Sequence, residues 1–200
     1  MKIFISLSFA LLTLSCSSRL NNELDLLSQD WQTSPYGSGG EITLKNNILK
    51  IEMGDPICGV NWRDKNIPKI NYEIEFQARR IQGNDFFVGL TFPYKDSFCS
   101  LIVSGWGGTV TGLSSINELD ASENETTCHL TVTNGQWYKI KLLVLDESIH
   151  VSIDDKELIN VKTVGKEINI RPEVEPSCPL GLATFYTSAE YRKIKLRKLN

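Results

Sequence analysis

The stretch KINYEIEFQARR, residues 69–80, decides the fold: Ile70, Tyr72, Ile74, Phe76 and Ala78 alternate with Asn71, Glu73, Glu75, Gln77 and Arg79. Successive side chains of a strand point to opposite faces, so this period of two describes a strand with one buried face and one wet face. No helix accommodates it, because a helix repeats its apolar positions every three or four residues.

The same period recurs on both sides. EITLKNNILKIEM (41–53) reads as two short strands about Asn46 and Asn47, residues that tolerate the positive φ of a tight turn. NDFFVGLTFP (84–93) sets Phe86, Val88, Leu90 and Phe92 on one face, and FCSLIVSGW (98–106) and TCHLTVT (127–133) continue the pattern. WYKIKLLVLD (137–146) alternates Tyr138, Ile140, Leu142 and Val144 against Trp137, Lys139, Lys141 and Leu143. IHVSIDDKELINV (149–161) reads as a hairpin about Asp154 and Asp155, and LGLATFYT (180–187) and YRKIKLRKLN (191–200) close the chain. The reading is about ten to twelve short strands, with a helical turn expected only near Leu24–Leu27. Many short alternating strands without a linker or repeat predict an all-β chain folded as a two-sheet antiparallel jelly-roll sandwich, since each sheet needs a second apolar face against its own.

The N-terminus differs in kind. MKIFISLSFALLTLS (1–15) carries one Lys and an apolar run too short for a spanning helix, which is the pattern of a signal peptide. LTLSCSS resembles the lipobox of bacterial lipoproteins: small Ser15 precedes Cys16, although Thr13 and Leu14 stand where Leu and a small residue are usual. The resemblance implies a lipidated Cys16; the onset of alternation sets an entry segment over residues 16–40 and a sandwich domain over 41–200. It implies an exported protein held at a bacterial envelope, with the membrane reached only through the anchor. Without residues 1–15 the chain has 20 basic and 24 acidic residues, one Lys having been removed from 21, for a net charge of −4. Nucleic acid is not an expected partner. Cys58, Cys99, Cys128 and Cys178 remain; they permit two disulfides in three connectivities or four free thiols, and their spacing is not that of a zinc site.

NGQWYKIKLLVLDESIHVSIDDKELINV (134–161) and PLGLATFYTSAEYRKIKLRKL (179–199) resemble the closing strands of concanavalin A-like, laminin G-like jelly rolls. They are similar in particular to the bacterial family named for 3-keto-disaccharide hydrolase. The carrying features are Asn134, Gly135 and Trp137 at a strand entry, the Asp154–Asp155 turn, the strand opened by Gly181, and Tyr191, Arg192, Ile194 and Leu196 in the last strand. The resemblance implies a carbohydrate context and carries over no catalytic residue.

Candidate site residues cluster in GWGGTVTGLSSINELDASENETT (105–127). Glu118, Asp120 and Glu123 have the Glu-x-Asp-x-x-Glu spacing of the laminarinase and lichenase family, whose roles would make them nucleophile, supporting acid and acid/base. Two carboxyls about 5 Å apart are needed for retaining hydrolysis. Strict alternation separates Glu118 from Glu123, and the Ser and Asn neighbours favour a loop. Asp120, Glu123, Asn124 and Glu125 are hard oxygen donors suited to calcium or to sugar hydroxyls. Trp106, between Gly105 and Gly107-Gly108, is displayed as a platform for a sugar ring, and Trp62 in GVNWRDKN is a weaker second; Trp137 reads as core. His129 and His150 read as structural or surface residues. The expected function is carbohydrate binding, with glycan hydrolysis or elimination and a structural adhesion module as alternatives.

Overall fold

The computed structural model describes residues 23–27, 30–37, 39–64 and 66–200. The proposed signal peptide and Cys16 lie outside the described residues. Among the described residues fifteen strands follow one another: β1 (Glu23–Asp25), β2 (Trp31–Thr33), β3 (Ile42–Lys45), β4 (Ile48–Ile51), β5 (Ile57–Trp62), β6 (Tyr72–Gly83), β7 (Val88–Tyr94), β8 (Ser97–Gly105), β9 (Val110–Ser114), β10 (Cys128–His129), β11 (Tyr138–Val144), β12 (Ser148–Ile153), β13 (Lys156–Lys162), β14 (Gly181–Phe185) and β15 (Thr187–Lys198). A 3-10 helix, Pro172–Ser177, precedes β14.

The strands form two antiparallel sheets of a jelly-roll sandwich. The first runs β13-β12-β11-β6-β15-β4-β3, with β1 also on β15, and the second runs β10-β9-β8-β7-β14-β5-β2. The opening stretch is the centre of the first sheet: β6 pairs with β11 on one side and with β15 on the other. Its alternation becomes its burial, since Tyr72, Ile74, Phe76 and Ala78 are all at most 1% exposed. They meet Leu90, Phe92, Leu101, Val103, Leu113 and Leu182 of the second sheet in one continuous core. Burying a side chain of this size contributes roughly 1.5–3 kcal/mol, which makes the sandwich interior the main source of stability.

Two phenols inside that core are matched, while Nε1 of Trp62 has no partner among the described residues. Tyr191 Oη donates to the Phe87 carbonyl oxygen at 2.6 Å and Tyr72 Oη to that of Pro93 at 2.5 Å. Burial pushes both phenols well above their ordinary pKa, so they remain neutral donors. The hairpin turns fall where Asn and Asp place them: Asn46 and Asn47 have φ of 53° and 58°, and Asp154 and Asp155 have 50° and 63°.

Several local expectations are corrected. Leu24–Leu27 is not a helical turn: Glu23–Asp25 is a strand in register with Lys195–Arg197. TCHLTVT supplies only the two-residue β10, because the chain leaves the sheet edge at Leu130. Phe86 is not in the inward set of its strand. β7 begins at Val88, and the irregular residues before it turn Phe87 into the core and Phe86 out of it. Cys58, Cys99, Cys128 and Cys178 are free thiols, and burial pushes that of Cys99 up to about 12.

Candidate functional site

The outer face of the second sheet is floored by small side chains. Reading across the strands at one level gives Asn61, Gly181, Thr91, Ser100 and Ser114; the next level gives Gly59, Ala183, Gly89, Ile102 and Gly112; the last gives Ile57 and Phe185. Glycine inside a strand weakens it and signals that something approaches the backbone closely. Here three things do. A Cβ on Gly89 would strike the Phe86 ring, one on Gly112 would strike Ala121, and one on Gly181 would strike Ser177.

Two segments lie over this floor. Residues 115–127 form a loop closed by Asn124, whose Nδ2 lies 2.7 Å from the Leu113 carbonyl oxygen, 3.0 Å from that of Leu119 and 2.8 Å from that of Asp120. Its Oδ1 accepts from Thr126 N at 2.9 Å and from Thr126 Oγ1 at 2.6 Å. The segment leading to the 3-10 helix pairs with this loop through Ser115 and Asn169, and Asn61 Nδ2 donates to the Pro176 carbonyl oxygen at 2.9 Å. Between these covers and the β8–β9 turn a cleft of about 360 Å³ stays open.

Phe86, Trp106 and Phe185 are its aromatic walls, with Ile57, Ile102 and Val174 beside them; Ser100 and Ser114 lie at the floor, and Asp85, Arg171 and Glu173 supply charge. Phe86 and Phe185 are 5.7 Å apart between ring centres. Trp106 is 43% exposed and holds φ of 49°, in the left-handed region that a bulky residue adopts only under outside constraint. The constraint is visible. Asp85 Oδ2 accepts from Gly107 N at 2.9 Å, Ser104 Oγ donates to the Gly108 carbonyl oxygen at 2.5 Å, and Gly108, at φ 106°, lies where a Cβ would overlap the Asn84 carbonyl.

Beneath this turn lies Arg80, which is buried and has no carboxylate hydrogen-bonded to it among the described residues. Its Nε donates to Asn134 Oδ1 at 2.6 Å, Nη2 to the Val132 carbonyl oxygen at 3.1 Å, and Nη1 reaches Ser104 Oγ at 3.4 Å and the Asp85 carbonyl oxygen at 3.5 Å. Desolvation lowers its pKa, and the guanidinium fork ties two loops and the end of β8 together by oxygen acceptors. Trp106 is thus held as a fixed wall.

Charge at the other rim is organised by Arg171. It donates to Asp120 Oδ2 at 2.7 Å and to both oxygens of Glu173, at 3.3 and 3.2 Å. Arg171 holds the Glu173 carboxyl below its ordinary range. Asp85 accepts one backbone N–H on each oxygen, from Phe86 and from Gly107. These carboxylates are placed to accept hydroxyl hydrogen bonds.

The predicted residues therefore separate. Trp106 lines the cleft. Asp120 stands behind it on Arg171, with Ser114 Oγ donating to it at 3.2 Å. Glu118 and Glu123 are exposed on the loop outside the cleft lining, Glu118 at φ 64°, and no strand carries them. Asn124 is buried as the loop's internal clamp, and Glu125 pairs with Lys166 beside the β13 edge. Calcium does not fit Asp120, Glu123, Asn124 and Glu125: Arg171 and Lys166 occupy two of the carboxylates, and the Asn124 oxygen is already bonded twice. Among the described residues no three His, Cys, Asp or Glu converge. Trp62 is a correction: at 3% exposure it is core, edge-on to Trp31 at 5.1 Å. Trp137 is the reverse correction, half-buried outside the first sheet beneath Arg79 and Arg192. His129 is exposed, and His150 hydrogen-bonds Ser148 and Glu157. Sequence reasoning missed Asp85, Phe86, Arg171, Glu173 and Phe185. The available signal was the outward set of β14, Gly181, Ala183 and Phe185, in which one large ring ends a run of small residues.

Fold and cleft together define a jelly-roll sandwich with an aromatic-walled cleft on the outer face of one sheet. The chain belongs to the 3-keto-alpha-glucoside-1,2-lyase-like domain family, whose model matches residues 27–197. No curated protein sequence matches it. Among solved structures, the carbohydrate-binding module CBM66 from Bacillus subtilis superposes with a TM-score of 0.54 at 12% identity, over 84% of this chain and 96% of that one. A Bacillus subtilis protein with a galectin-like fold gives 0.56 at 11% identity, over 88% and 94%. The metal-free carbohydrate recognition domain of Emp46p gives 0.54 at 13%, over 86% and 89%. At these identities the likeness is one of fold.

Proposed function

We propose that the cleft bounded by Phe86, Trp106 and Phe185 binds a glycan, and that the protein is exported and held at the bacterial envelope by a lipidated Cys16. The observation that carries the binding reading is a displayed indole and two phenyl rings lining one cleft, with Ser100, Ile102 and Ser114 at its floor and Asp85, Arg171 and Glu173 at the rim. Aromatic faces take the C–H face of a sugar ring, and the rim carboxylates accept its hydroxyls. The solved relatives that are carbohydrate-binding domains support the same reading. The signal-like N-terminus alone supports export.

Elimination or hydrolysis is the second reading, and the family match favours it. In a 3-keto-glucoside the C2 proton is acidified by the adjacent ketone; a base removes it, the electron pair forms the C1–C2 double bond, and the C1–O bond to the leaving sugar breaks. Glu173, held ionised by Arg171, is a weak base for that step, which places binding first.

The test incubates the mature domain with a panel of α-glucosides, 3-keto-disaccharides and other glycans, following retention and product release. Retention lost in Trp106→Ala without product release establishes binding. Release abolished by Glu173→Gln establishes elimination, and no retention with no release leaves a structural module. Labelling with radioactive palmitate that disappears in Cys16→Ala tests the anchor.

A further inference from the structure

The aromatic wall does not stop at the cleft. Phe185 ends β14, and the next residue, Tyr186, is 46% exposed with φ of 42°. A tyrosine in left-handed conformation sacrifices backbone energy, and its surroundings make the sacrifice a fixed one. Tyr186 N donates to the Pro56 carbonyl oxygen at 2.8 Å, and Tyr186 Oη donates to Asp55 Oδ1 at 3.1 Å. Its ring meets Phe185 edge to face at 5.0 Å between centres, and Phe185 in turn meets Phe86 at 5.7 Å with the rings tilted by 33°. Pro56 belongs to the cleft lining, so the Asp55–Tyr186 ledge is continuous with it.

We infer that Tyr186 and Asp55 form a second sugar subsite adjoining the cleft, so that the preferred ligand is an oligosaccharide longer than the cleft alone holds. The inference rests on the proposed binding function. A cleft of about 360 Å³ is at the small end of ligand sites and suits one or two hexose rings. A further ring leaving past Pro56 meets the Tyr186 face, while Asp55 Oδ2 is available to accept its hydroxyls and Asp55 Oδ1 fixes the phenol. A packing role alone does not account for this arrangement, because nearly half of the ring is in water, where its burial contributes little.

The experiment measures affinity by calorimetry for glucose, maltose, maltotriose and maltotetraose, and for the matching cello-oligosaccharides, in wild type, Tyr186→Asn, Tyr186→Trp and Trp106→Ala. Asn adopts the left-handed region readily, so Tyr186→Asn removes the ring without straining the turn. In the wild type the affinity should rise about fivefold between disaccharide and tetrasaccharide, the size of one aromatic contact. That ratio should fall toward one in Tyr186→Asn and persist in Tyr186→Trp, whereas Trp106→Ala should weaken every length. A length-independent affinity that still depends on Trp106, or a ratio indifferent to Tyr186→Asn, overturns the second subsite and leaves the proposed function standing. No binding of any length by the wild type overturns both.

Discussion

The two sheets share one alternating pattern on their inner faces and have opposite chemistry on their outer ones. Outside the first sheet, long charged side chains satisfy one another across the strands. Glu73 pairs with Lys141 and with Arg197, Arg79 with Glu190, and Lys139 with Asp155. Even its indole is occupied: the Arg192 guanidinium lies 4.0 Å and that of Arg79 4.6 Å from the centre of the Trp137 ring. Outside the second sheet the side chains are short, the floor is uneven only where loops fill it, and the indole is bare. Trp106 and Trp137 are the same residue used in two ways, one as a surface offered to a ligand and one as a shelf for cations. A face whose groups are already paired has little left with which to recognise anything. The glycine-rich face gives up strand propensity and keeps its charged groups at the rim.

That contrast can be broken from below the Trp106 turn. Arg80→Ala leaves the buried Val132 carbonyl, and at its margin the Asp85 carbonyl and Asn134, without their donor, and should cost about 1–3 kcal/mol of stability. It should also release the Trp106 turn, which a fall in melting temperature together with a red-shifted indole emission would register. Trp106→Ala should change stability by less than about 0.5 kcal/mol because the ring is exposed, yet weaken saccharide binding by at least about tenfold. An equal loss from Trp137→Ala would abolish the contrast between the faces.

Acid should sharpen it further. Arg171 depresses the folded-state pKa of Glu173, so the pair contributes in full above the unfolded value of about 4.3 and is lost as pH falls through the lower folded value. Saccharide affinity follows the folded-state carboxyl, so it should stay flat from neutrality to below about pH 4.3 and decline only at more acid pH, and Glu173→Gln should flatten that decline. A decline centred near neutral pH would point to a different group. The smallest effect belongs to the first sheet: Arg192→Gln removes one partly solvated cation–π contact, so about 0.5–1 kcal/mol of stability and no saccharide affinity should be lost.

The sandwich was legible because alternation is a local property. Residues 70–78, the Asn46–Asn47 turn and the Asp154–Asp155 turn carry their own conformational instructions, and the family resemblance in the closing strands agreed with them. The cleft is assembled differently. Asp85, Phe86, Trp106, Arg171, Glu173 and Phe185 come from four separated segments, and what joins them is which face each strand presents. The period of two places Phe86 inward with Val88, but β7 begins only at Val88 and the irregular residues before it do not keep the period. Trp106 could be found because its glycines mark it. Trp62 looked equally displayed in GVNWRDKN, and only its place on the inward side of β5, against Trp31, shows it to be core. The acids of residues 118–125 had suggestive spacing; Arg171 and Lys166, more than forty residues later, determine what two of them do.

If the outer face of the second sheet receives the ligand, a two-dimensional NMR titration of the labelled domain with maltotetraose should shift the Trp106 indole N–H and the backbone amides of Phe86, Ile102, Ser114 and Phe185, with the Trp137 indole and the amides of Lys139 and Lys141 unmoved. Shifts centred on Trp137 and its strands, with the Trp106 indole silent, would contradict it.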